Sequence, residues 1–393
     1  MLESYTMRVL HVVPYYIPAW RYGGPIRSVH GLSRELVRGG AQVDVVTTSV
    51  DGAADSDVPH DRPVDIDGVR VFYFRSRNLR RLYYSRELSR HLDETMAGYD
   101  IVHLHGVFLW PGWRAARIAR RNRVPFVTSP RGMLVRDLIR MRSRWVKTAW
   151  IHGIERKTLA DAGAVIASTR HERDEIQKLG LRMRQILIHP NGIEVGADPG
   201  PRAIDPAERR VLYLGRLSRE KGLDRLLPAL ALLPDVTLDL AGNDETGYRD
   251  ELESQIARLG LGGRVRFLGH LNEEQKWKAL RAAPLLVLPS YSENFGVVVL
   301  EAMSMRTPVV LTSGVGVADA VARYGGGVVV SGEAEALAAG IRELLEDPVK
   351  REAMEVRARQ VIEEHFTWDG IAKAMRETYD QVIRSNDAST RLS

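Results

Sequence analysis

The chain has no cysteine among its 393 residues. That absence excludes disulfides, iron–sulfur clusters, thiolate zinc sites and thiol nucleophiles, so oxygen and nitrogen groups must carry the chemistry. No stretch approaches the ~18 uninterrupted apolar residues that a membrane-spanning helix needs, and there is no long low-complexity tract. With 44% apolar and 27% charged residues, the composition argues against disorder, collagen-like repeats and coiled-coil rods. The apolar run Val9–Ile17 follows Glu3, is broken by His11 and Pro14 and has no small-residue cleavage site. It does not read as a secretory signal, and the expected address is the cytoplasm.

What is present is enough chain for two domains, or three, at ~100–200 residues each. The net charge of +6 hides an asymmetry. Residues 1–190 hold 31 Lys and Arg against 19 Asp and Glu, whereas residues 191–393 hold 25 against 31. The two halves are expected to face different partners.

Short β-branched runs alternate with helical patterns from the start. Arg8–Val13, a helix-like Pro25–Val37 and then Val43–Thr48 read as β-α-β. Strands are expected at Val69–Phe74, Ile101–His105, Pro125–Ser129, Ala164–Ser168 and Ile186–His189, which together predict a doubly wound parallel sheet. Pro and Gly punctuate residues 190–209, and the linker is placed there. A second series follows at Val211–Leu214, Val236–Leu240, Val265–Leu268, Leu285–Leu288, Val309–Leu311 and Val328–Val330. The fold class is therefore α/β, with an N-terminal domain at 1–190 and a second Rossmann-like domain at 191–367. Trp368, Ile371, Met375, Tyr379 and Val382 recur at helical spacing and predict a terminal helix, 368–385, whose apolar stripe needs a surface to cover. Ligands of such sheets bind at the carboxyl ends of the strands, which points to a cleft shared by the two domains.

The richest stretch is Pro289-Ser-Tyr-Ser-Glu-Asn-Phe-Gly-Val-Val-Val-Leu-Glu-Ala-Met303, read as strand, loop and helix. Amides of Phe295, Gly296 and Val297 at the helix start suit an anion, and Glu293 and Glu301 suit vicinal hydroxyls. Taken alone, the same residues also fit a solvated Glu beside an incidental N-terminal carboxylate. In Leu214-Gly-Arg-Leu-Ser-Arg-Glu-Lys-Gly222, Arg216 and Lys221 bracket a strand–helix loop and can clamp a diphosphate; the alternative is solvated surface. Tyr22-Gly-Gly-Pro25 allows close backbone approach through Gly23 and Gly24, or is only a turn. His103-Leu-His105 places two imidazoles on one strand face, open to metal ligation or, for His105, preferred here, to sugar or hydroxyl contact. Asp55-Ser-Asp57 and Asp65-Ile-Asp67 mimic a metal-binding Asp-x-Asp but read as solvated loop, so no metal is expected.

Together the Gly-Gly loop, the Gly-Arg-x4-Lys-Gly segment and the Ser-Glu-Asn-Phe-Gly-x4-Glu-Ala segment, in this order, resemble glycosyltransferase family 4. The likeness extends through Pro190-Asn-Gly-Ile193, Phe267-Leu-Gly269 and Thr307-Pro-Val-Val310. It implies the GT-B architecture, with the C-terminal helix 368–385 packing back on an acceptor-binding first domain, and retaining transfer of a hexosyl unit from a nucleotide-diphosphate sugar, without a cofactor. It also implies a catalytic group of Arg216, Lys221 and Glu293. The implied donor-binding set is Gly23, Gly24, Asn294, Phe295, Gly296, Val297, Glu301 and His270, with Glu301 on the ribose. Many relatives carry a histidine in a Thr-x-His strand end where this chain has Arg131; Arg131 and His105 are the acceptor-side or sugar-side candidates. The expected acceptor is a glycan or lipid-linked hydroxyl in cell-surface polysaccharide assembly. A non-catalytic nucleotide-sugar or polyanion-binding module and a sugar phosphorylase are the alternatives.

Residues 101–150 hold 11 Lys and Arg against one acid, Asp137, interleaved with Phe108, Trp110, Trp113, Trp145 and Trp150. That composition fits peripheral contact with an anionic membrane's inner face, at roughly 1 kcal/mol per nearby cation. A solvated helix face is the alternative. Nucleic acid is not expected.

Overall fold

The computed structural model describes residues 6–135, 148–244 and 247–391. It divides into two compact units, 1–192 with 368–393, and 193–367.

The first unit is built on eight strands: β1 Arg8–Tyr15, β2 Gln42–Thr48, β3 Val64–Ile66, β4 Val69–Phe74, β5 Ile101–His105, β6 Phe126–Ser129, β7 Ala164–Ala167 and β8 Ile186–Ile188. Their spatial order is β8-β7-β6-β5-β1-β2-β4-β3, and every pair is parallel except β3 with β4. The strands are rich in Val and Ile and β5 is buried along its whole length, as a sheet covered by helices on both faces requires. Two pieces were not expected from the sequence: the antiparallel edge strand β3 and a short ladder pairing Val50–Asp51 with Ala54–Asp55. At two or three residues each, both are too short to show alternation.

The helix Trp368–Arg391 closes this sheet. Trp368, Ile371, Met375, Tyr379 and Val382 are all buried and share one core with Val9, Val29, Leu32, Val43 and Ile166. Glycines make room for it. A Cβ on Gly31 would lie 2.3 Å from the Trp368 ring, one on Gly192 2.6 Å from the same ring, and one on Gly163 2.4 Å from Val382. Close packing of this kind leaves no space for a methyl group.

The second unit has six parallel strands: β9 Arg210–Leu214, β10 Thr237–Ala241, β11 Val265–Gly269, β12 Leu285–Leu288, β13 Val309–Thr312 and β14 Gly327–Val330. Their order is β11-β10-β9-β12-β13-β14. The chain order reverses between β9 and β12 here, and between β1 and β5 in the first unit. Loops that leave the carboxyl ends of such strand pairs diverge and leave a crevice for a ligand. The segments singled out by sequence follow these same strands: 215–222 after β9, 289–296 after β12, 16–24 after β1 and 106–109 after β5.

Candidate active site

At the switch point of the second unit, β9 is followed by Gly215 and Arg216. A Cβ on Gly242, after β10, would lie 1.8 Å from the Gly215 carbonyl, so the two strand ends are packed backbone to backbone. Gly222 adopts φ 69° with the Pro289 carbonyl 2.1 Å from its virtual Cβ; only glycine serves here, and it brings the Lys221 loop against the loop after β12. Tyr291 N donates to Glu220 O at 2.9 Å and joins the same two loops.

Lys221 and Glu293 form a direct ion pair between Nζ and Oε2. Glu293 is fixed through its backbone, its N–H donating to Gly314 O and its carbonyl accepting from Gly316 N. Gly296, at φ 90°, caps the helix Val297–Ser304, whose first amides have no acceptor within the helix. Phe295 is buried in the core of this unit, so its amide rather than its ring is available at the loop. Asn294 Oδ1 is buried with no hydrogen-bond partner among the described residues. Glu301 lies inside the helix and accepts from Lys276 Nζ at 2.9 Å. Lys276 also donates to Glu273 at 3.0 Å and lies 4.4 Å from the Trp277 ring centroid. Sequence reading missed Lys276: it sits on another helix, 25 positions from Glu301, with no motif around it. Arg216 is more than half exposed, 3.7 Å from Glu220. His270 is exposed, one residue past β11. The second unit therefore brings Lys221, Glu293, Asn294, Gly296 and the helix start together and sets the Glu301–Lys276 pair one to two turns further along.

In the first unit, Gly23 has φ 68° and caps the helix Gly24–Arg38. Among the described residues nothing lies within 4 Å of a virtual Cβ on either Gly23 or Gly24, so both present open backbone. His103 and His105 do share a face, their rings stacked 4.0 Å apart, and a third imidazole joins them because His11 pairs with His103 across β1 and β5. His11 Nδ1 lies 2.8 Å from His105 Nε2, and Arg131 Nη2 lies 3.2 Å from His105 Nδ1. A guanidinium only donates, so His105 Nδ1 accepts, Nε2 carries the proton, and His11 Nδ1 accepts in turn. His103 is held by Tyr379 OH at 2.6 Å and Ser129 Oγ at 2.7 Å. Burial holds all three rings neutral, pushing His11 from 6.5 down to about 3 and His103 and His105 well below their ordinary value. Bonded in this way the cluster is a hydrogen-bonded chain; one ring nitrogen from each of the three also lies within 4.8 Å of the others, a spacing that could hold a metal ion. Both nitrogens of His105 are used within the protein.

Several cations of the basic tract are paired with acids outside it. Arg114 and Arg121 pair with Asp93, and Arg120 pairs with Asp161, acids that lie outside residues 101–150. Arg117 lies over the Trp113 ring at 5.2 Å. The stretch 136–147, with Trp145, falls outside the described residues. No helix among the described residues is long and apolar enough to cross a membrane.

Two family models match end to end. "Glycosyl transferase 4-like domain" covers residues 23–192 and "Glycosyl transferases group 1" covers residues 197–361. A glycogen synthase of Mycobacterium tuberculosis is 30% identical over 95% of this chain and 94% of its own. This chain belongs to glycosyltransferase family 4. The family 4 assignment makes it a transferase of the GT-B fold. A D-inositol 3-phosphate glycosyltransferase of Xylanimonas cellulosilytica is 29% identical over 93% of each chain. Two solved structures share the fold: Anabaena HepE, crystallised with UDP and glucose, at TM-score 0.71 and 23% identity over 95% of this chain and 100% of its own, and sucrose-phosphate synthase of Thermosynechococcus elongatus at 0.74 and 24% over 96% and 100%.

Proposed function

We propose that this glycosyltransferase moves a hexosyl unit from a nucleotide-diphosphate sugar to a hydroxyl of a glycan or lipid-linked acceptor with retention of anomeric configuration. The observation that carries this reading is the second unit's crevice, where Lys221, the open amides at Gly296 and Val297, and the carboxylates of Glu293 and Glu301 follow the two central strands. Cation and amides suit a diphosphate; carboxylates suit ribose and hexose hydroxyls. Arg216, exposed just past the end of β9, is the further phosphate contact in this reading, and His270 a peripheral one. HepE, of the same fold, was crystallised with UDP, which supports a nucleotide donor.

In the reaction the bond from the sugar C1 to the diphosphate oxygen breaks and a bond from C1 to the acceptor oxygen forms on the same face. The acceptor proton passes to the departing phosphate oxygen. Negative charge grows on the diphosphate as the bond breaks, so Lys221 and Arg216 act where charge develops. Glu293, tethered by Gly314 and Gly316, orients the sugar.

The test is a screen of UDP-, GDP- and ADP-sugars, read by thermal shift and by slow release of the nucleoside diphosphate. A base-selective shift with release is expected. Lys221→Ala is expected to lower turnover roughly 100- to 1,000-fold, and Glu301→Ala to weaken the donor's thermal shift. Unchanged turnover and donor affinity in both variants would remove the site assignment. Membrane contact through 101–150 is a separate proposal resting on the cations of 136–147; failure of anionic liposomes to retain the protein at low salt would end it.

A further inference from the structure

The first unit has a cavity of about 650 Å³ at the end of its sheet away from the loops described above. Arg123, Val124 and Pro125 precede β6, Gly163 precedes β7, and Arg184 and Gln185 precede β8, so the cavity lies at the amino ends of three strands. The segments that carry Gly23, His105 and Arg131 lie at the carboxyl ends, where ligands of such sheets bind. The far wall of the cavity is the terminal helix, through Val382 and Asn386.

The charged lining is three arginines, Arg120, Arg123 and Arg184, against a single carboxylate, Asp161. Asp161 is already taken. Arg120 Nη1 lies 3.1 Å from its Oδ2, and Arg120 Nε donates to Ala116 O at 3.1 Å. Arg123 and Arg184 are exposed, and among the described residues neither has a carboxylate at ion-pair distance. The backbone of Arg123 is held in place. It adopts φ 58°, a left-handed conformation that an arginine keeps only when its surroundings impose it. Its N–H donates to Arg120 O at 3.2 Å, and its carbonyl accepts from Asn386 Nδ2 at 3.0 Å. The terminal helix therefore fixes the turn that sets Arg123 in the cavity wall. A concavity lined by charge of one sign focuses its field inward and gathers counter-ions there.

We infer that this cavity is a binding site for a phosphate monoester, carried by a small soluble molecule or by a lipid head group, and that it is separate from the donor crevice. Three arginines against one carboxylate leave two positive charges, which match the roughly −1.5 to −2 of such a phosphate at neutral pH. Guanidinium groups hold phosphate oxygens through paired N–H donors in one plane, which a lysine reproduces only as a point charge. A bare phosphate fills only part of the space, since cavities of ~300–1,000 Å³ take whole small molecules. Val124, Pro125 and Val382 give the carbon skeleton an apolar wall. The inference goes beyond the glycosyltransferase reading and does not depend on it.

The experiment titrates the full chain calorimetrically, at physiological ionic strength, with ribose 5-phosphate, inorganic phosphate and, as neutral control, ribose. Co-sedimentation with phosphatidylcholine vesicles, with and without phosphatidate, is measured alongside. Ribose 5-phosphate is expected to bind at least about tenfold tighter than ribose, the scale of a charge-assisted pair, with inorganic phosphate competing. Retention by phosphatidate vesicles without binding of ribose 5-phosphate assigns the phosphate to a lipid head group instead. In either case Arg123→Gln combined with Arg184→Gln is expected to weaken binding at least about tenfold, and the two Lys variants to restore part of it. Arg86→Gln with Arg90→Gln, an equal loss of charge from exposed positions on the helix Arg86–Thr95, is expected to leave it in place. So is Lys221→Ala in the donor crevice. No preference for either phosphate over its neutral control, binding that survives the Arg123 and Arg184 pair of Gln variants, or an equal loss in the Arg86 and Arg90 pair overturns the inference. Binding lost in Lys221→Ala places the phosphate in the donor crevice and overturns it as well. An unchanged thermal midpoint of the Arg123 and Arg184 variants checks that they fold, and nucleotide release from donor sugars tests the glycosyltransferase reading separately.

Discussion

Lys276 meets two carboxylates and an indole ring, and of these Glu301 is the one in the crevice that we propose for the donor. Both Lys276 and Glu301 are mostly buried, so their contact is screened less than a surface pair. If Glu301 takes the ribose hydroxyls, Lys276→Ala leaves that carboxylate without its anchor. The KM for the donor is expected to rise roughly three- to tenfold, the scale of one ordinary hydrogen bond, with kcat little changed. Steady-state kinetics checks this, and a fall in kcat at constant KM counts against it. The buried imidazoles make a second prediction. Each is neutral in the fold but gains a proton in the unfolded chain below 6.5, so stability is lost as pH falls below 6.5, for His11 down to about 3. For His11 this is at most about 1.4 kcal/mol per pH unit in that window. The urea midpoint is expected to drop steeply between pH 6.5 and 4.5, and His11→Asn to shallow the slope by one ring's share; an unchanged slope counts against the neutral chain. From sequence, alternation alone placed His103 and His105 together. His11 could not be added, because its partnership depends on which strands pair and in what register.

Among the elements, the terminal helix is the clearest case of a pattern legible in advance: five apolar residues at helical spacing had to cover something. That they cover the first unit is what the family resemblance implies; the shape of the groove was not legible. The groove is cut by Gly31, Gly163 and Gly192, which lie far apart in sequence and look like ordinary turn or helix glycines until Trp368 and Val382 are set against them. Gly31→Ala drives a methyl group into the indole ring. It is expected to cost about 1–3 kcal/mol, the range for overpacking a tight core, and Trp368→Phe in the same chain to recover part of that by shortening the ring. Thermal or urea denaturation of the two variants reads both effects; an unperturbed Gly31→Ala would show that the helix can shift aside. The parallel strands were readable within one or two residues at each end because each is a short, mostly apolar run between turn residues. The edge strand β3 was not, since three residues carry no period. Likewise Glu293 and Glu301 were recognisable from their local motif, while Lys276 and the partners of Arg131 belong to other elements and are found only once the chain is folded.

Across the whole molecule, the count of charges by segment proved a poor guide to free charge, because Asp93 and Asp161 return to pair with cations of 101–135. Sequence windows cut through such pairs. The division into units is also not a simple cut, since residues 368–391 belong to the first sheet although they follow the second. A chain ended after Thr367 is expected to expose the apolar face of the first unit, including Val29, Leu32 and Ile166, while leaving the core of the second complete. Limited proteolysis is expected to digest 1–192 well before 193–367, and equal resistance of the two would sink that expectation.

The return of the terminal helix to the first sheet also fixes an order of events during biosynthesis. A ribosome finishes residues 193–367 before it makes residue 368, so the second unit has its whole sequence, and can fold as a contiguous piece, while the first still waits for one wall. Translation runs from the first unit to the second; completion runs the other way. Until Trp368 reaches its place between Gly31 and Gly192, the nascent first unit presents an open apolar groove, and a pause in translation just after residue 367 is the moment when the chain most needs a chaperone's cover.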